Sequence, residues 1–175
     1  MSKKISTKTI QAAIYDRTSG SAKYVDDSAT YKRPDIEMLT DGFSGLGIMG
    51  EIDLPAIAQV GGMEGEIGFT ASNKRVTALF TPGSHVIEAR WVTNVLDTAT
   101  GKSKTRANKE ICTILPKNLG LGDIEANSAN EPTLTYEIIA YEYICDGESL
   151  IKVDKLNNVF KINGTDYAKQ IRDAL

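Results

Sequence analysis

The sequence predicts a mainly β fold with one short internal helix and one terminal helix. Three observations carry this. The β-rich runs 85–96, 104–115 and 133–145 each exceed the five or six residues of an ordinary strand. Asp146-Gly147 and Asn163-Gly164 supply residues that tolerate positive φ where hairpins must turn. Glycines crowd residues 42–68 around Pro55, which excludes a helix there and leaves bent or bulged strand.

In chain order, TIQAAIYD (9–16) reads as a short strand, and the Ser, Asp, Gly and Thr of 17–35 as a loop or weak hairpin. SNKRVTALF (72–80) fits a short helix capped by Ser72 or Asn73 and stopped by Thr81-Pro82-Gly83. The runs 85–96 and 104–115 form a long hairpin. In TLTYEIIAYEYIC (133–145), Leu134, Tyr136, Ile138 and Ala140 alternate on one face. ESLIKVD (148–154) folds back after Asp146-Gly147, and NVFKIN (158–163) is a further strand. TDYAKQIRDAL (165–175) reads as a helix capped by Thr165 or Asp166, with Tyr167, Ile171 and Leu175 as an apolar stripe for docking on a sheet. Strands this long in a small domain leave edges that invite pairing with another chain, and a closed ring of subunits would satisfy them.

The 175 residues fit one domain, 1–175, large enough to bury a core of its own. Cys112 and Cys145 lie in apolar strand-like runs and read as buried thiols rather than a disulfide framework. The basic N-terminus lacks the apolar stretch of a signal peptide, and no apolar run is long enough to span a bilayer, so a soluble, cytoplasmically made protein is expected.

The net charge of -3 hides blocks. Residues 1–33 sum to +4, 34–73 to -7, 74–117 to +5, 118–148 to -7 and 149–175 to +2, and the two acidic blocks contain no Lys or Arg. Either the blocks neutralise one another inside one subunit, or opposite patches meet between copies, where complementary potentials orient association.

Gly45–Gly50, GLGIMG, match the dinucleotide-binding pattern G-x-G-x-x-G. That turn needs a buried strand before it and a helix after it. Here an acidic segment precedes it, Pro55 and Gly61-Gly62 interrupt any helix that follows, and the nearby carboxylates would repel a pyrophosphate. A nucleotide-binding enzyme is the remote alternative. His85, the only histidine, has no nucleophile motif around it, and one His with two Cys falls short of a four-ligand zinc site. Glu137 and Glu142 lie five apart on a strand and therefore point to opposite faces. Trp91 reads as core or interface packing. No enzyme, cofactor or metal is expected.

YEYICDGESLIKVDKLNNVFKINGTDYAKQIRDAL (141–175) resembles the C-terminus of the major tail tube proteins of contractile-tailed bacteriophages. The likeness rests on Asp146, Gly147, Glu148, Leu150, Asp154, Asn157, Val159, Phe160, Asn163, Gly164 and Asp166, in order and spacing, with Arg172 also fitting. The resemblance implies a β-sandwich or barrel-like subunit that forms stacked hexameric rings, with strands of neighbours joining into a barrel around a lumen. It implies as partners the chain itself, a sheath protein, a tape-measure protein, and baseplate and terminator proteins. DNA would pass only in transit, without specific binding, and no membrane is engaged. The location implied is the virion tail, after assembly in the host cytoplasm. A contractile bacteriocin or a type VI-like secretion apparatus is the alternative setting.

Two placements follow as expectations. Glu88, Glu110 and Glu137 are expected to face the lumen and repel phosphates. The acidic, glycine-rich segment at about 34–66, with Gly45, Gly47 and Gly50, is expected to form an inter-ring or inter-subunit loop or hairpin.

Overall fold

A computed structural model describes residues 3–26, 28–45 and 47–175 of the chain. The elements run β1 (Lys4–Asp16), β2 (Lys23–Asp26), β3 (Ser28–Lys32), β4 (Met38–Phe43), β5 (Ile52–Val60) and β6 (Glu64–Phe69). They continue α1 (Lys74–Ala78), β7 (His85–Asp97), β8 (Ser103–Gly120), β9 (Thr133–Cys145), β10 (Glu148–Asp154), β11 (Val159–Ile162), β12 (Thr165–Asp166) and α2 (Lys169–Ala174).

The antiparallel sheet is ordered β12-β11-β10-β9-β8-β7-β1-β2. It forks at β9, whose Ala140–Cys145 half pairs with β10 and whose Thr133–Glu137 half pairs with β6. β3 pairs with β6 and returns against β1, so the sheet curls round a single core. Ile14, Ile67, Phe69, Ile87, Ile114, Leu134, Tyr136 and Ile138 are all fully buried there. β4 and β5 form a separate two-stranded sheet.

The long hairpins and both Gly-containing turns lie where the sequence puts them, and four details differ. Residues 17–35 contain two short strands, but β2 pairs with β1 and β3 with β6, so they are not each other's hairpin. The glycine-rich stretch ends in β6, a core strand, with Met63, Ile67 and Phe69 buried. Its glycines permit close approach: a Cβ on Gly65 would meet the Tyr136 ring at 2.5 Å. A register shift opposite Thr113/Ile114 inserts Ile139 as an extra residue in β9. Tyr141 therefore replaces Ala140 on the core face, and Glu137 and Glu142 end up on the same face rather than opposite ones.

The fourth difference is at the C-terminus. Thr165–Asp166 bridge to β11, and the helix begins only at Lys169, after Ala168 and without a side-chain cap. Ala168 is the buried anchor, while Ile171 is 39% and Leu175 96% exposed. The expected docking stripe is therefore corrected: six helical residues are too few to lay three apolar side chains on a sheet. The short internal helix does form, capped by Asn73, whose Oδ1 accepts from the amides of Arg75 and Val76.

Candidate assembly surfaces

Strands β4 and β5 pair only with each other among the described residues, and the pair projects an arm. Met38, Leu39, Phe43, Met49, Ile52, Leu54 and Ile57 are all exposed on it. Asp41, Glu51 and Asp53 sit among them, and no Lys or Arg occurs between residues 34 and 73. GLGIMG is the tip of this arm. The Ile48 amide donates to the Gly45 carbonyl, and Gly47 and Gly50 take φ of 92° and 108°. Leu46 lies outside the described residues. The chain leaves this turn into β5, so the strand–turn–helix of a nucleotide site is absent. A two-stranded hairpin is marginal in water on its own. At its base Ala58 and Val60 pack against the core, whereas Phe43, Met49, Ile52, Leu54 and Ile57 further out stay exposed.

The foot of the arm is clamped. Arg33, the last residue before Pro34, bonds the Glu110 carboxylate from Nε at 2.6 Å. Tyr31 and Tyr141 donate their hydroxyls to the same carboxylate at 2.9 and 2.5 Å. Burial pushes both tyrosine hydroxyls well above the ordinary phenol range, and Glu110 adds to the effect, so they remain donors. The Arg33 guanidinium lies over the rings of Trp91 and Tyr143, which stack with centroids 5.8 Å apart. The sequence hides this cluster because its hydrogen-bonding partners are 31 to 108 residues apart.

The outer face of the long sheet carries paired charge. Tyr15, Glu88, Ile111, Glu142 and Lys152 fall in one cross-strand row. Glu88 is held by Arg17 and Arg90, Glu142 by Lys152, Glu137 by Lys155 and Glu64 by Lys117. The three acids expected on a lumen therefore divide. Glu88 and Glu137 are on this outer face, but Glu88 is 1% exposed beneath its two arginines. Glu110 is on the core side and 0% exposed. The expectation of free carboxylates is corrected for both, because burial requires each to be neutralised by a cation.

Residues 4–11 of β1 pair with β7 on one side only, among the described residues, leaving a free edge. The C-terminal motif residues build turns. Asp146 and Gly147 take φ of 49° and 88°, and Asp146 accepts from the Ala107 amide. Leu150 accepts the Asn163 amide through its carbonyl. Asp154 accepts from the amides of Leu156 and Asn157. Phe160 is buried, while Asn163 and Gly164 both take positive φ. Asp166 pairs with Arg172 at 2.5 Å, and that guanidinium holds its carboxyl below the usual range.

Other chemistry is sparse. His85 Nε2 lies 2.9 Å from the Thr81 carbonyl, a structural contact at the end of α1. Burial pushes the Cys112 thiol up to about 12, which keeps it protonated and unreactive. Cys145 is half-buried rather than buried as expected. Among the described residues, no cluster of His, Cys, Asp and Glu is placed to hold a metal. No helix among them is long and apolar enough to cross a membrane.

The model of the family "phage tail tube protein FII" matches residues 18–175. The chain belongs to this family. It is a tube subunit and a structural protein, not an enzyme. No curated protein matches it. Among solved structures, it is similar to a chain in the cryo-EM structure of the sheath/tube terminator of PVC, an extracellular contractile injection system. The TM-score is 0.52 at 9% identity, covering 79% of this chain and 95% of that one. A chain of the PVC sheath-tube complex gives 0.50 at 11% identity, covering 79% and 89%. At such identities the likeness is one of fold.

Proposed function

We propose that this subunit builds the inner tube of a contractile phage tail, as hexameric rings that stack into a hollow conduit for DNA. The observation that carries this is the β4–β5 arm, an acidic hairpin whose outer apolar residues, Phe43, Met49, Ile52, Leu54 and Ile57, are exposed in the subunit. An exposed apolar patch of this kind marks a contact with another chain. In this arrangement the arm, including Gly45, Gly47 and Gly50, lies against a neighbouring copy, and the free edge of β1 joins a neighbour's sheet. The outer face of the long sheet lines the channel. Its acids are neutralised in pairs, so DNA in transit is neither held nor strongly repelled. Sheath, tape-measure, baseplate and terminator proteins are the further partners, and the particle assembles in the host cytoplasm.

The fold likeness to chains of an extracellular contractile injection system supports a second setting, the tube of a phage-like bacteriocin or secretion apparatus. Neighbouring capsid genes would decide for a phage. Negative-stain microscopy tests the assembly itself: rings or tubes are expected from the wild type. A chain with 41–56 replaced by a short linker, which keeps Ala58 and Val60 against the core, is expected to stay folded and unassembled. Unchanged tubes from that variant would refute the role of the arm.

A further inference from the structure

The two ends of the long sheet carry opposite charge. At one end, the β7–β8 turn and the start of β1 bring together Lys3, Lys4, Lys102, Lys104 and Arg106. The Thr98 amide donates to the Lys3 carbonyl, which ties the two segments. A hollow of about 110 Å³ opens there, lined by Lys4, Val95, Asp97, Lys104, Thr105, Arg106 and Asp146. Its acids are engaged locally: Asp97 accepts from the Ala99 amide, and Asp146 accepts from Ala107 and pairs with Arg106.

At the other end, the β8–β9 loop of residues 121–132 contains Asp123, Glu125 and Glu131 and no cation. Ile124 stands between the first two acids, 95% exposed. The loop is shaped rather than slack. Asn130 donates to the Asp123 carbonyl, and a Cβ on Gly122 would meet the Asn130 carbonyl oxygen at 1.6 Å. Ser72, two residues before Lys74 of α1, donates to the Asn130 side chain and ties the loop to the start of that helix.

The 18 residues of β8 separate these ends, which amounts to roughly 55 Å at the ordinary strand rise. Charges are screened within about 8 Å at physiological ionic strength. The two ends therefore cannot neutralise one another within a subunit, although elsewhere opposite blocks do meet inside it, as in Lys117–Glu64, Lys152–Glu142 and Lys155–Glu137.

We infer that the subunit stacks head to tail through these ends. The Asp123-Ile124-Glu125 knob of one copy seats in the Val95-floored, lysine-rimmed hollow of the next. The knob offers an apolar centre between two acids, and the hollow an apolar floor with a cationic rim. A contact between two different surfaces of one chain, when directed along an axis so that it does not close into a ring, propagates as a filament. This inference rests on the tube reading and adds the residues that join one ring to the next.

The test compares two reversal variants, Lys4→Glu/Lys104→Glu and Asp123→Lys/Glu125→Lys, by negative stain and sedimentation. All four sites are exposed, so circular dichroism should match the wild type. Each variant alone should lose stacking by about tenfold or more, because like charges then face each other at the contact. Mixing the two restores complementary ends, and stacks should return. Raising the salt should shorten wild-type stacks. Reversal variants that stack like the wild type, or a mixture that fails to stack, would overturn the inference. A wild type that never assembles would instead overturn the tube reading itself.

Discussion

The β6–β9 sheet and the β4–β5 arm are both antiparallel and rich in apolar residues, yet they treat those residues oppositely. Ile67 and Leu134, opposite one another in the sheet, are fully buried, whereas Ile57 in the arm is 71% exposed. Within a few dozen residues the same chemistry is spent first outside the subunit and then inside it. The body holds its apolar residues in its own core, while the outer part of the arm leaves its apolar residues exposed, as expected of a surface that meets another chain.

Substitutions should separate the two regions cleanly. The largest expected loss of stability is Ile67→Ala, at about 2–5 kcal/mol for a cavity in a closed core. Next is the clamp between them. Arg33→Met leaves Glu110 buried and unpaired, a loss on the order of 3 kcal/mol and at the low end for buried pairs, since Arg33 itself is half-exposed. Thermal or urea unfolding measures both. Gly65→Ala should cost about 1–3 kcal/mol by overpacking against Tyr136. Ile57→Ala should change stability by less than about 0.5 kcal/mol while reducing assembly in sedimentation. A large melting shift from Ile57→Ala would show that the arm is covered within its own subunit.

The smallest effect is in acid. Arg172 lowers the folded pKa of Asp166, so the pair's contribution is complete above the ordinary carboxylate pKa of about 3.9. It is lost as pH falls through the lower folded value. Arg172→Gln should remove that acid-dependent loss, and an unchanged acid limb would refute the assignment.

The parts legible in the sequence were those set by neighbours in the chain. Asp146-Gly147 and Asn163-Gly164 fix turns by local φ, and alternation along 133–138 fixes a face. Asn73 caps α1 through bonds reaching only two and three residues on. What long-range packing decides was not legible. The extra residue Ile139 reverses every face downstream in β9, and nothing in its own identity announces the bulge. β6 was obscured because its glycines resemble those of a loop until Tyr136 is known to lie against Gly65. Glu88 and Glu110 read as surface acids because Arg17, Arg33 and Arg90 approach them only in the folded sheet.

Trp91 is the chain's only tryptophan, and it stacks on Tyr143 beneath the Arg33 guanidinium at the root of the arm. The molecule thus carries its own optical reporter, placed where the body meets the arm proposed to dock on a neighbour. A strained or released clamp changes the charge above that indole. Emission colour and quenching by iodide should then report any docking of the arm that disturbs the clamp, without a label.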